Sequence, residues 1–524
     1  MKKRVFAFLM AMVLCLTCIG MASCDLFKTE EPGETTTEAP DDGTTTAKPD
    51  DGETTTADPN ADDGTTTTAD PNEDGPVGPS VEEEGYDGSE VTIKFYHTMG
   101  SNLTDVLNPA IERFNELYPN ITIDDTQVGG YDDVRNQINT EITVGLQPNI
   151  AYCYPDHVAM YNISKAVVPL DSLIDSMAVV VDAQGNETFM GLSQDQIDDF
   201  IPGYYNEGKQ FGDGKMYTLP LSKSTEVLYY NKTFFDQHNL TPPTTWDEME
   251  ALCKKIKEID PNCIPLGYDS ESNWFITMCE QLGTDYTSAT GEHFIFNTAE
   301  NRAFVTKFAG WYDNKYVTTQ ELYGAYTSGL FVNQDPTQQT SYMSIGSSAG
   351  ATHQRPKKGE DGKYPFEVGI TTIPQVDPAN PKVISQGPSL CIFDKANKQE
   401  VYASWLFMKF LTTDVDFQAE FSMASGYVPV LQSVAENKTY KEEFLDKADG
   451  GDYVSALSAK VCLEQADAYY TSPAFNGSST ARDQVGLLIQ NCFAATETAA
   501  TAADLDAAIA KLFQDAVDKC KYMS

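Results

Sequence analysis

The chain is 524 residues long, 41% hydrophobic and 11% aromatic, with a formal net charge of -43. That length holds two or three ordinary domains with sizeable cores. A chain this acidic repels nucleic acid and anionic lipid surfaces, so neither is expected as a partner, although one well-placed arginine can still attract a small anion.

Lys2, Lys3 and Arg4 precede an apolar run over 5–19, and Gly20-Met21-Ala22-Ser23 leads to Cys24. This reads as a secretory signal peptide over 1–23 rather than a span, because the run is short and ends in a processing signal. The Met-Ala-Ser-Cys ending resembles a bacterial lipobox, which implies that Cys24 is lipidated and becomes the new N-terminus. An ordinary signal with Cys24 incidental is the alternative, and the long polar segment that follows favours the lipid anchor.

Residues 24–90 are Thr, Asp, Glu, Pro and Gly in loose repeats of DDGTTT and ADPN, with almost nothing to bury. Such a segment is expected to be a disordered, self-repelling tether. Asp70-Pro71-Asn72-Glu73-Asp74-Gly75 begins like a calcium loop. Pro76 and Val81 then occupy the positions of a ligand and of the bidentate glutamate, so no metal is expected there.

Of the 11 cysteines, Cys15, Cys18 and Cys24 belong to the leader. Cys153, Cys253, Cys263, Cys279, Cys391, Cys462, Cys492 and Cys520 are dispersed, without the paired spacing of a zinc site. Export permits disulfides, with Cys253–Cys263 or Cys462–Cys492 the pairs to consider, and buried free thiols are the alternative.

Order is expected from Val91. Residues 91–96 alternate as a strand, a helix follows with Leu107, Ala110, Ile111, Phe114 and Leu117 on one face, and residues 121–123 begin a second strand. Gly129-Gly130-Tyr131 turns into a helix over 132–144, and residues 148–154 read as a third, buried strand. Strands alternating with helices of this length argue for a parallel α/β sheet. Ligands meet such a sheet beyond the carboxyl ends of its strands, where 97–101, 129–131 and 155–157 fall. Residues 214–246 combine turns, a Pro220 break, a β-rich run over 225–230 and a Thr-Thr-Trp-Asp-Glu helix start. They read as a segment crossing between lobes. Helices are expected over 247–259, 274–282 and 299–312. Residues 341–345 form a strand that ends in Gly346-Ser347-Ser348-Ala349-Gly350, a small-residue turn able to offer backbone N–H groups. A strand over 366–370 and the helix 398–411 follow. Helices near 431–446, 452–467 and 481–519 close the chain, the last breaking around 497–503.

Chemistry is sparsely signalled. Five histidines form no metal motif, and phosphate loops, dinucleotide fingerprints and nucleophile elbows are lacking. Carboxylates are abundant, so counting acids leaves a glycosidase pair open. Asp156 alone stands at a strand end, and helix capping is its bland reading. The 27 tyrosines, 26 phenylalanines and 4 tryptophans provide stacking surface for sugar rings, most of it committed to core.

FYHTMG (95–100), GKMYTLPLSKSTEVLYYNK (214–232), PPTTWDEM (242–249), SIGSSAG (344–350), ISQGPSL (384–390) and ASGYVPV (424–430) resemble, in order, the extracellular solute-binding proteins of bacterial ABC importers. The similarity is to the branch with sugar and glycerol-3-phosphate receptors. The resemblance implies a two-lobe periplasmic-binding-protein-like α/β fold with hinge strands near Ser224, Ile370 and Thr412. The first lobe would comprise 91–224 and 371–412, and the second 225–370 and 413–524. It implies ligand contacts from Tyr131, Ser224, Trp246, Ser348, Gly387, Tyr427 and Arg482. The family's glutamate after the third strand falls on Pro155, beside Asp156, so the hydroxyl-binding end is expected to be remodelled around Asp156. Arg482 suits a phosphate, hydrogen-bonds sugar hydroxyls equally well, and has a surface ion pair as its plain alternative.

The expected function is a monomeric, lipid-anchored receptor on the outer face of a Gram-positive membrane. It would deliver a sugar or oligosaccharide to its permease, without enzymatic activity, cofactor or metal. A glycerol-3-phosphate or glycerophosphodiester ligand is the alternative, and a secreted glycoside hydrolase or an adhesin lies further off.

Overall fold

The computed structural model describes residues 84–447 and 453–523; the expected leader, Cys24 and the tether up to residue 83 lie outside the described residues. Order begins slightly before the expected Val91. Gln399 clamps residues 85–87, its Nε2 donating to Gly85 O at 3.1 Å and its Oε1 accepting from Asp87 N at 2.9 Å.

The strands in chain order are β1 (Val91–His97), β2 (Ile121–Gln127), β3 (Ile150–Cys153), β4 (Val179–Val181), β5 (Glu187–Phe189), β6 (Leu219–Pro220) and β7 (Ser224–Asn231). They continue with β8 (Leu266–Tyr268), β9 (Val317–Thr319), β10 (Met343–Ser347), β11 (Val368–Thr371), β12 (Val383–Gln386), β13 (Ser389–Ile392) and β14 (Tyr469–Tyr470).

The first lobe is built on a sheet of order β2-β1-β3-β13-β6, parallel at β1–β2 and β1–β3 and antiparallel where β13 and β6 join. Ile93 and Phe95 point from β1 into the core, and the helix Ser101–Leu117 returns Leu107, Ala110 and Phe114 to it. Phe114 meets Phe407 and Phe410 of the helix Lys398–Thr413 at 5.0 and 5.6 Å, so a late element completes an early core.

The second lobe has a sheet of order β14-β12-β7-β10-β8-β9, with β11 also pairing with β7. Its helices include Trp246–Ile259, Glu271–Leu282, Ala299–Asp313, Ser478–Ala495 and Ala502–Met523. They enclose Trp274, fully buried between Tyr268, Phe308 and Phe493 at 4.7, 4.2 and 5.9 Å. The expected interruption of the last helix falls between Ala495 and Ala502.

The first crossing occupies residues 221–223, next to the expected Ser224. The second falls at Gly387–Pro388 rather than near Ile370, because β11 and β12 both pair with β7 and the chain re-enters the first sheet only at β13. The third lies beyond Thr412. The helices Lys398–Thr413 and Val415–Ser425 both pack in the first lobe, and Tyr453–Glu464 is the element that next contacts β11. The eight body cysteines are all buried and in no disulfide, so neither candidate pair is bonded; Cys153 Sγ lies 3.6 Å from Cys391 Sγ across neighbouring strands.

Candidate functional site

A cavity of about 320 Å³ opens where the carboxyl end of β3, the β12–Gly387 crossing and the start of the helix Ser478–Ala495 meet. Both lobes line it.

On the first-lobe side, β3 runs out at Cys153 and Pro155 starts the helix Pro155–Asn162, a position where the missing N–H is harmless. Tyr154 and Asp156 are thereby held at the mouth. Asp156 Oδ1 accepts from His157 N at 3.0 Å, while Oδ2 accepts from the Ser479 hydroxyl of the opposite helix, joining the two walls. Behind Tyr154 stands a tyrosine cluster. Tyr131 lies 4.4 Å from Tyr154 and 5.8 Å from Tyr152, ring centre to ring centre. Tyr427 stands beside Tyr131 in the same cluster. The turn that delivers Tyr131 uses Gly129 at φ 127, and Asp133 caps the helix by accepting from Gly130 N at 2.9 Å. Burial holds the Tyr131 and Tyr154 phenols far above their usual range, so both are neutral hydroxyls at any physiological pH.

On the second-lobe side, Arg482 occupies the second turn of its helix and donates to Asn273 Oδ1. Asn273 Nδ2 donates to Gln386 Oε1 at 2.7 Å and to Glu226 Oε1 at 3.0 Å, and the Tyr268 hydroxyl donates to Glu226 Oε2 at 2.7 Å. Burial pushes the Glu226 carboxyl up to about 7, opposed by its two donors and by Arg482. Two buried hydroxyl oxygens on the cavity lining, Ser385 Oγ and Thr287 Oγ1, have no hydrogen-bond partner.

The floor is the crossing itself. Lys223 is 0% exposed, and its ammonium is paired with Glu207; it also donates to Gly387 O at 3.0 Å and to Ser389 Oγ at 2.9 Å. The Ser389 hydroxyl in turn donates to Glu207 Oε2 at 3.0 Å. The Lys223 backbone exchanges two hydrogen bonds with Val428, of 3.1 and 2.6 Å. Gly387 turns the chain at φ 106, and a Cβ there would lie 2.6 Å from Ser222 O, so no other residue fits.

Asp156, Gly387 and Arg482 therefore stand on the cavity. Ser224 is next to them at the start of β7, its backbone paired with Gln386, and Tyr131 and Tyr427 form the layer behind Tyr154. Two expected contacts are elsewhere. Trp246 is buried among Trp274, Phe308 and Trp311, with its Nε1 donating to Gln281 Oε1 at 2.8 Å. It is a core anchor of the second lobe. Ser348 is also buried, and its hydroxyl accepts from Thr225 N at 3.1 Å, securing the β7 backbone rather than facing the cavity. Tyr154, Asn273, Tyr286, Gln386 and Glu207 were not anticipated as site residues. Gln386 stood within a quoted motif, whereas Asn273 is locally just the residue whose N–H is capped by Ser270, at 3.2 Å.

A second hollow of about 540 Å³ shares Ile276, Tyr286, Thr287 and residues 471–473 with the first, so the groove continues past one compartment.

The model of the family described as bacterial extracellular solute-binding protein matches residues 109–445. The sn-glycerol-3-phosphate-binding periplasmic proteins UgpB of Salmonella typhimurium and Escherichia coli K12 are each 25% identical over 373 residues, covering 69% of this chain and 79% of theirs. The cyclic alpha-maltosyl-1,6-maltose binding protein from Arthrobacter globiformis superimposes with a TM-score of 0.62 at 19% identity, over 83% of this chain and 100% of that one. UgpB from Mycobacterium tuberculosis, solved with glycerophosphocholine, gives 0.61 at 16%, over 83% and 99%. Two α/β lobes, an interlobe cavity at the crossings and a family match over most of the body agree: the chain belongs to the bacterial extracellular solute-binding proteins.

Proposed function

We propose that the chain is the receptor subunit of an ABC importer, tethered outside the membrane through a lipidated Cys24, which captures a sugar or oligosaccharide and delivers it to the permease. It acts as a monomer, without cofactor or metal, and performs no reaction on its ligand.

The observation that carries the carbohydrate is the pair of partnerless hydroxyls, Ser385 Oγ and Thr287 Oγ1, of residues lining a cavity that also presents Asp156. A neutral polyol completes such a set, because each sugar hydroxyl both donates, to a carboxylate, and accepts, from a serine or threonine. Neighbouring tyrosines suit the apolar faces of sugar rings. A phosphate dianion would meet the Asp156 carboxylate, and the nearest guanidinium, Arg482, is already engaged by Asn273.

Arg482 nevertheless favours a second reading, a glycerol phosphate or glycerophosphodiester receptor, and the UgpB relatives lend it weight. Thermal melts with a panel of sugars, malto-oligosaccharides, glycerol 3-phosphate and glycerophosphocholine decide between them. A sugar should raise the midpoint, since a ligand that binds only the native state stabilises it, and it should be recovered unchanged. A shift with the phosphate ligands alone selects the second reading. Turnover of any glycoside overturns the receptor.

A further inference from the structure

Glu226 is the most deeply placed charge near the cleft that the binding reading leaves without a task. It lies on β7 at 1% exposure and does not reach the cavity. Its hydrogen-bonded link to the ligand site is Asn273, whose amide contacts Glu226, Gln386 and Arg482 at once.

The direction of each of those bonds follows from the charge on Glu226. An ionised carboxylate only accepts, so Asn273 must turn its NH2 group toward it. The Asn273 carbonyl is then left facing Arg482, which only donates, and the second N–H is left for the Gln386 oxygen. Gln386 accordingly directs its own NH2 away from Asn273. One buried negative charge thereby aligns two side chains of the cavity wall.

We infer that Glu226 is a positioning residue for the cleft: through Asn273 it holds Arg482 and Gln386 in their recognition geometry, and its proton uptake loosens that geometry and weakens ligand capture. The inference rests on reading the cavity as the ligand site. A proton on Oε1 would face the Asn273 NH2, donor against donor; turning the amide over relieves that clash but presents NH2 to the Arg482 guanidinium. A proton on Oε2 is absorbed by turning the Tyr268 hydroxyl, and the charge balancing Arg482 is still lost.

The charged and titratable groups facing Glu226 are Tyr268 and Asp269 at the end of β8, Tyr470 on β14 and Arg482. Burial raises both phenols, which stay neutral. Asp269 is also raised by burial, and its carboxylate accepts from Thr327 N at 2.6 Å. Glu226 titrates near 7 against an ordinary 4.5. The folded chain thus keeps this proton where the unfolded chain has released it. Its contribution to stability is complete below the ordinary value and is lost as pH rises through the folded one. Capture runs the other way, because the ionised form aligns the wall. Falling stability with rising affinity across the same interval is a signature that a merely structural carboxylate does not give.

The test uses the ligand-free chain and the best sugar from the panel, between about pH 5.5 and about pH 8. Wild-type affinity should rise roughly tenfold across that interval, a difference of about one decade in the binding constant, while the ligand-free melting midpoint falls. Glu226→Gln should flatten both profiles and bind as the wild type does at the acid end. Asn273→Ala cuts the link and leaves Glu226 in place, so it should flatten the affinity profile and keep the wild-type slope in the melts. Parallel ligand-free profiles for wild type and Glu226→Gln would overturn the inference, as would wild-type binding by Asn273→Ala. Failure of every sugar and phosphate ligand to bind the wild type removes the functional reading instead, and the ligand-free melts keep the two failures apart.

Discussion

The crossing around Lys223 and the cavity wall around Ser385 are made of the same kinds of group and differ in how they are finished. At the crossing, the ammonium serves Glu207, Gly387 O and Ser389 Oγ, and the Ser389 hydroxyl donates to Glu207, so the set closes on itself. At the wall, Ser385 Oγ and Thr287 Oγ1 are buried without partners. A closed polar set in a low-dielectric interior specifies one geometry, whereas an open one costs free energy until something completes it. The first is therefore structure and the second is recognition, although only Gly387 and Pro388 separate Gln386 from Ser389 in the chain.

Substitutions can break this comparison or sharpen it. Lys223→Met should have the largest effect, about 3–5 kcal/mol of stability in chemical denaturation, because it leaves Glu207 buried without its counter-charge. A loss below about 1 kcal/mol would mean that the crossing is not a closed set. Gly387→Ala comes next, at roughly 1–3 kcal/mol, since its left-handed backbone and the Ser222 carbonyl both resist a Cβ. Its denaturation midpoint should fall without a change in ligand preference. Arg482→Ala should shift binding more than folding. Calorimetry should show sugar affinity weakened by about 1.5–3 kcal/mol, the range for a hydrogen bond to a charged group, and any phosphate binding lost. Ser385→Ala should be the smallest, costing about 1 kcal/mol of affinity while leaving stability unchanged or slightly raised, because an orphan hydroxyl is removed. A clear loss of stability there would show that Ser385 had a protein partner, and the contrast with Lys223 would dissolve.

Much of the frame was legible because periodicity reports burial. The alternation over 91–96 and the face carrying Leu107, Ala110, Ile111 and Phe114 became β1 and its covering helix. Strand partners were not legible: β11 and β12 are both short apolar strands, and nothing local says that each pairs with β7 before the chain returns at β13. The site divided the same way. Of the residues that line the cavity, Gly387 lay in a motif, Arg482 came from the family resemblance alone, and Asp156 from its place at a strand end. Trp246 and Ser348 had the chemistry of ligand contacts yet serve the core and the β7 backbone, because residue type does not tell which side of a wall a side chain takes. Asn273 and Glu226 were hidden for the opposite reason. One is locally a helix-start residue and the other a strand residue, and their roles exist only where the helices Glu271–Leu282 and Ser478–Ala495 meet the start of β7.

Lys223 has a mechanical consequence as well. Two independent ribbons between lobes would each bend and twist at their own soft points, giving a joint with several degrees of freedom. Here one residue is itself part of the first crossing, grips Gly387 and Ser389 at the second, and is stitched by its backbone to Val428. Torsion applied to one ribbon is delivered to the other at that pin. A joint pinned in this way is an axle rather than a pair of straps, and walls carried on it would keep their register in any swing.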